Sequence, residues 1–136
     1  MGIEGSRVRI FKTKWFARFA RKEDISDKKL SEAVRAVEKG LHDGDLGGNL
    51  IKKRVPRSGR GKRGGYRTII VYRAGSGAVF VYGFSKSAKA GLSAVELAAY
   101  QKLAQLYLSF TDADMTKALN AGELEEVNHN GEEISK

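Results

Sequence analysis

The spacing of apolar residues changes period several times along this chain, and each change marks a structural element. VRIFK (8–12) alternates as a strand does. Thr13 suits an N-cap, and Trp15, Phe16 and Phe19 fall on one side of the helix that follows it. After Asp27, the residues Leu30, Ala33, Val34, Val37 and Leu41 recur at helical spacing, and Gly40 can close this second helix. HDGDLGG (42–48) is turn chemistry, and NLIKKRV (49–55) reads as a strand that Pro56 ends or confines to an edge. A glycine- and arginine-rich loop leads into GYRTIIVYR (65–73), a turn over 74–77 reverses the chain, and AVFVYGF (78–84) returns as the hairpin partner. Ser93 and Glu96 carry the S-x-x-E signature of a capping box, opening a long helix whose expected buried stripe is Leu92, Val95, Ala99, Leu103, Leu106 and Phe110. Thr111 and Asp114 cap a further short helix ending near Gly122, and NHNGEEISK (128–136) reads as a frayed acidic tail.

The order is therefore β, α, α, β, β, β, α, α. Helices come first and a strand meander follows, which predicts an α+β domain: a mainly antiparallel sheet, joined by the first strand, with the two N-terminal helices packed on one face and a C-terminal helical extension. We expect one domain over 1–136, made of a basic core (7–91) and a helical extension with an acidic tail (92–136). The length suffices to bury a core without metal or disulfide staples, and the absence of cysteine excludes thiol chemistry and cysteine-based zinc sites. No apolar run reaches the roughly 18 residues of a membrane span, and the N-terminal stretch lacks the apolar segment of a secretory signal, so a cytoplasmic protein is expected.

Charge sharpens the picture. The net charge is +9, but residues 1–90 hold 22 of the 25 Lys and Arg against 8 acids, whereas 91–136 hold 3 against 8. Between Leu46 and Val95 there is no Asp or Glu, while eleven cations fall inside. A solubilising surface interleaves both signs; a one-signed field of this kind draws phosphate by counterion release and so points to nucleic acid. The acidic C-terminal part either packs on the core or shields the basic face, and the sequence leaves both open.

Several motifs fail on context. Gly59, Gly61 and Gly64 satisfy G-x-G-x-x-G, but a strand follows where a dinucleotide fingerprint needs a helix. Arg63 stands where a P-loop needs Ser or Thr. His42, Asp43 and Asp45, and likewise Asp112 and Asp114, lack a third partner at metal-ligand spacing, so turns and caps explain them. His129 lies in the polar tail, which leaves no catalytic triad or carboxylate pair. No metal or other cofactor is expected.

The phase of the cations remains. Leu50, Lys52 and Arg54 share one strand face and Ile51, Lys53 and Val55 the other; Arg67, Ile69, Val71 and Arg73 alternate against Tyr66, Thr68, Ile70 and Tyr72. In the last strand Phe80, Tyr82 and Phe84 are expected to oppose Val79, Val81 and Gly83, with Lys86 and Lys89 just beyond it. A meander can gather Lys52, Arg54, Arg67, Lys86 and Lys89 into one basic site.

This order of elements, with LIKKRV, then G-Y-R opening a strand and F-x-K after the next, resembles the RelE superfamily of bacterial toxins, in particular its RelE/HigB-like branch, over roughly residues 7–110. The resemblance implies a small basic endoribonuclease that cuts mRNA in the ribosomal decoding site and thereby inhibits translation. It also implies, as partners, mRNA, the ribosome and a cognate antitoxin, expected to be a helix-turn-helix protein encoded nearby. Carried onto this chain, it makes Lys52, Arg54, Arg67 and Lys86 the candidate catalytic residues. Three departures stand out: the family's proton carrier near the end of the chain is replaced by the candidates Tyr82 and Tyr100, the segment from about Phe110 onward exceeds the minimal toxin, and the Gly/Arg loop is longer than in the smallest members.

The chemistry itself is modest in its needs. When the 2′-OH of RNA attacks the adjacent phosphorus, an enzyme has only to take that proton, hold an anionic transition state and protonate the leaving 5′-oxygen. Lys52, crowded by like charges, is the candidate base, and the planar fork of Arg67 suits the phosphate. Arg54 and Lys86 are left to steady the leaving group or grip the backbone. Lys53, Arg57, Arg60, Lys62, Arg63, Arg73 and Lys89 are expected to bind RNA phosphates. The alternative is a nonenzymatic RNA- or DNA-binding protein, a ribosome-associated factor or regulator; the long helix from Ser93 is acidic to neutral, which disfavours a DNA reader.

Overall fold

The computed structural model describes residues 8–57 and 65–128. Arg60, Lys62, Arg63, the loop glycines and His129 lie outside the described residues. The elements are β1 (Arg9–Thr13), α1 (Lys14–Lys22), α2 (Asp27–Glu38), β2 (Gly44–Asp45), β3 (Leu50–Val55), β4 (Tyr66–Arg73), β5 (Gly77–Ser85), α3 (Ala94–Leu108), α4 (Asp112–Asn120) and β6 (Leu124–Glu126). They build a six-stranded sheet in the order β2-β3-β4-β5-β1-β6. β1 runs parallel to β5, and every other neighbour pair is antiparallel.

Helix starts follow the cap chemistry. The Thr13 side chain accepts from the Phe16 amide, and Ser26, one residue before Asp27, accepts from Lys29. Ser93 with Glu96 and Thr111 with Asp114 form reciprocal capping boxes, each worth about 1 kcal/mol. Asp45 accepts from the Gly47 amide, so this turn acid organises its own backbone.

The two apolar faces of the sheet are covered separately. Phe16, Ala20, Leu30, Val34 and Val37 of α1 and α2 bury Ile10, Ile51, Val55, Ile70 and Phe80. On the other face Ala104 and Tyr107 of α3, with Met115 and Ala118 of α4, bury Phe11, Leu50, Ile69, Val71 and Val79. The central strands are thus buried on both sides, which is why they read as nearly continuous apolar runs.

Three local expectations change. The buried stripe of α3 is rotated: Leu97, Tyr100, Leu103, Ala104 and Tyr107 face the sheet, while Val95 is 79% and Leu106 49% exposed. The helix is apolar nearly all round, so two phases fit its sequence, and packing selects the one that brings the tyrosines inward. In β5 the alternation breaks at a register shift: Ile69 pairs with Tyr82 but Ile70 with Phe80, leaving Val81 as a bulge. Phe80 therefore faces α1 and α2, while Tyr82 and Phe84 turn to the α3 face. Finally, β6 pairs with β1 just before the expected tail.

That last strand also shows where C-terminal acid goes. Lys12, nearly buried, lies 3.0 Å from Asp27 Oδ1 and 3.9 Å from Glu125, while Glu125 meets Arg21 and Glu126 meets Arg9. These acids neutralise cations of β1 and α1 on the β6 side of the sheet, and β6 packs on the core.

Candidate functional site

Strand register sets the geometry of the cations. Arg54 on β3 pairs with Arg67 on β4, which pairs in turn with Phe84 on β5; the next row on the same face is Lys52, Ile69 and Tyr82. Lys52, Arg54 and Arg67 thus share the face that bears Leu50, Ile69 and Val71. Like charges directly opposite on a sheet repel. None of the three meets a carboxylate in an ion pair among the described residues. One guanidinium nitrogen of Arg67, Nη1, is buried and meets no hydrogen-bond acceptor there either. A buried unsatisfied donor costs about 1–3 kcal/mol, so this pair of arginines is an arrangement the fold maintains at a cost. A phosphate held between Arg54 and Arg67 would supply both acceptor and counter-charge.

The remaining candidates separate into groups. Lys86 is exposed in the turn that leaves β5. Lys89 is held 2.7 Å from Glu96, and this hydrogen bond keeps its ammonium more firmly protonated than an ordinary lysine. Lys53 points to the opposite face, beside Thr68, whose hydroxyl donates to the Lys53 carbonyl. A cavity of about 300 Å³ at the outer edge of β3 is lined by Lys53, Arg54 and Asp43, and Asp43 accepts from the Arg54 amide at 2.6 Å. Arg57 sits over the ring of Tyr66, which lines the α1/α2 core. Arg73 lies at the far end of β4, roughly 20 Å along the strand from Arg67, and donates to the Phe110 carbonyl at 3.1 Å. Of the expected RNA-binding cations, Arg57 and Arg73 therefore do not converge with Lys52, Arg54 and Arg67, whereas Lys53, though its strand position faces the other side, lines the same cavity as Arg54.

The two tyrosines proposed as proton carriers are neighbours, their rings 5.2 Å apart. Burial, then the adjacent Tyr82 and Glu96, push Tyr100 up to about 12. At neutral pH Tyr100 holds its proton, so it can donate one but is a poor base. Burial also raises Tyr66, Tyr72 and Tyr107. Each raised phenol contributes stability that is complete below the ordinary value of 10.0 and is lost as the pH climbs through its folded value. We therefore expect stability to fall between pH 10 and about 12 as the unfolded chain releases these protons first. Absorbance titration at 295 nm should show these four native phenols ionising late, and near the ordinary value once the protein is denatured.

In the sequence Trp15 is marked only as part of a helix face. In the structure it lies 4.8 Å from Tyr82, ring to ring, and 47% of its surface is exposed. Its signal was visible: α1 carries Lys14, Arg18, Arg21 and Lys22 and no acid, so the aromatic residue sits among cations.

A protein-family model described as the RelE toxin of the RelE / RelB toxin-antitoxin system matches residues 8–127. The match runs past the resemblance seen in the sequence and takes in α4 and β6. No curated protein matches the chain.

Proposed function

The chain belongs to the RelE family and is the toxin of a toxin-antitoxin system, and from that premise we propose that it is a ribosome-dependent endoribonuclease that cuts mRNA in the cytoplasm and so inhibits translation. The observation that carries this reading is the buried nitrogen of Arg67, without an acceptor among the described residues, on a sheet face shared with Arg54 and Lys52. Such an arrangement suits an enzyme whose task is to hold a developing phosphorane.

The proposed mechanism uses the RNA's own nucleophile. Lys52 takes the proton from the 2′-OH, and its oxygen attacks the adjacent phosphorus. Arg67 and Arg54 hold the non-bridging oxygens as charge accumulates on them. The P–O5′ bond breaks, the leaving oxygen receives a proton, and the products are a 2′,3′-cyclic phosphate and a 5′-hydroxyl. Lys86, Tyr82 and Tyr100 are the candidates to supply that proton. No step calls for a metal ion, because the nucleophile is already part of the substrate. Lys89, tied to Glu96, contributes field more than contact. The cognate antitoxin, a helix-turn-helix protein encoded nearby, silences the toxin by covering the basic face.

The test separates binding from cutting. Lys52→Ala and Arg67→Ala should each lower translation-dependent mRNA cutting about 100-fold or more while ribosome binding changes by no more than about threefold. Unchanged cutting in both would remove this site.

A further inference from the structure

The proposed mechanism leaves Trp15 unused, yet it joins the candidate site to the outer face of α1. β1 pairs with β5 only as far as Phe80, so the later residues of β5 have no strand on that side among the described residues. Tyr82 reaches past this open edge. Rings follow one another from Tyr100 to Tyr82 at 5.2 Å, from Tyr82 to Trp15 at 4.8 Å, and from Trp15 to Phe19 at 5.6 Å and 13°. Phe19 is pinned from below, because a side chain on Gly83 would come within 2.5 Å of its ring. The rings pack one on another, and still nearly half of Trp15 faces solvent. A tryptophan that served only to close the core would have turned this area inward.

Two exposed cations of α1 are neighbours of Trp15 in the chain: Lys14 precedes it, Arg18 lies one turn on, and neither forms an ion pair among the described residues. An exposed aromatic surface on a helix of one-signed charge is the pattern that holds single-stranded nucleic acid, with the base on the ring and the phosphates on the charges. The distance also fits. Tyr82 shares its row with Lys52 two strands away, about 10 Å at ordinary strand spacing.

We propose that Trp15 is a stacking platform for a nucleobase of the RNA strand flanking the cut, with Lys14 and Arg18 gripping that nucleotide's phosphates. The proposal rests on the nuclease reading, since it assigns Trp15 the same RNA. It gives the enzyme a means of preferring particular bases without reading their hydrogen-bonding edges.

Because Trp15 is the only tryptophan, its emission reports on the platform directly. The probe is a fluorescein-labelled 2′-O-methyl oligoribonucleotide, which binds without being cut, beside an abasic strand of equal length. Anisotropy reads binding and tryptophan emission reads stacking. We expect the base-bearing strand to quench Trp15 and the abasic strand to leave it bright. Trp15→Leu keeps apolar bulk but no ring and should bind about tenfold more weakly, while Trp15→Phe should stay within about threefold of the parent. Binding with unquenched emission, or a Trp15→Leu protein that binds as tightly as the parent, overturns the platform while leaving the cutting assays on Lys52 and Arg67 to judge the nuclease. Failure of the base-bearing strand to bind overturns the platform as well.

Discussion

Replacing Arg67 with methionine is expected to abolish most mRNA cutting while leaving the protein at least as stable as before. The two halves of this expectation share one cause. Arg67 faces Arg54 directly across the strands and buries a nitrogen with no acceptor among the described residues, so its charge works against the fold. Methionine keeps the apolar stem against the sheet and removes the charge, so the denaturation midpoint should hold or rise, by up to about 1 kcal/mol in stability. Loss of a preorganised donor for the transition state costs about 100- to 1,000-fold in rate. Urea denaturation and mapping of cut mRNA in a translation extract check both halves. An arginine kept for architecture would give the opposite result, with stability lost and cutting kept.

Gly77→Ala should have the largest effect on stability of any small substitution. Gly77 pairs with Arg9 in the parallel ladder that fastens β1 to β5, and an added Cβ would overlap the Arg9 carbonyl oxygen. That oxygen is backbone and cannot swing aside, so the two strands must part. β1 carries α1 through the Thr13 cap and holds β6 on its other edge, so a wedge there loosens both. The expected cost is about 3 kcal/mol or more, read as a lowered denaturation midpoint. Gly91→Ala, where an added Cβ meets nothing within 4 Å, should be silent by the same measurement.

Much of the architecture was legible because local chemistry and tertiary structure agree. Thr13, Ser93 and Thr111 cap in the structure as their spacing implies, and the strands β3, β4 and β5 sit where alternation puts them. What was hidden has physical reasons. The bulge at Val81 leaves no mark in a run that is apolar at nearly every position, so the turning of Tyr82 toward the α3 face could not be read. The phase of α3 was ambiguous because Val95 and Leu106 are as apolar as the residues that face the sheet. β6 spans only three residues, too few to show a period. The shared face of Lys52, Arg54 and Arg67 follows from parity alone, whereas the burial of an Arg67 nitrogen away from any acceptor among the described residues depends on packing that no pattern encodes. Arg73 shows the converse: its phase matches Arg67, but distance along the strand and the Phe110 carbonyl remove it from the group.

The most direct test of a cationic face that promotes attack by the RNA's own hydroxyl alters the RNA and leaves the protein untouched. A message carrying a single 2′-O-methyl group at the nucleotide 5′ to the scissile phosphate should still be translated up to that codon and still bind the toxin. It should no longer be cut there, whereas the unmodified message yields a 2′,3′-cyclic phosphate end. Continued cleavage at the methylated position, or a 3′-hydroxyl end on the ordinary message, would contradict the mechanism.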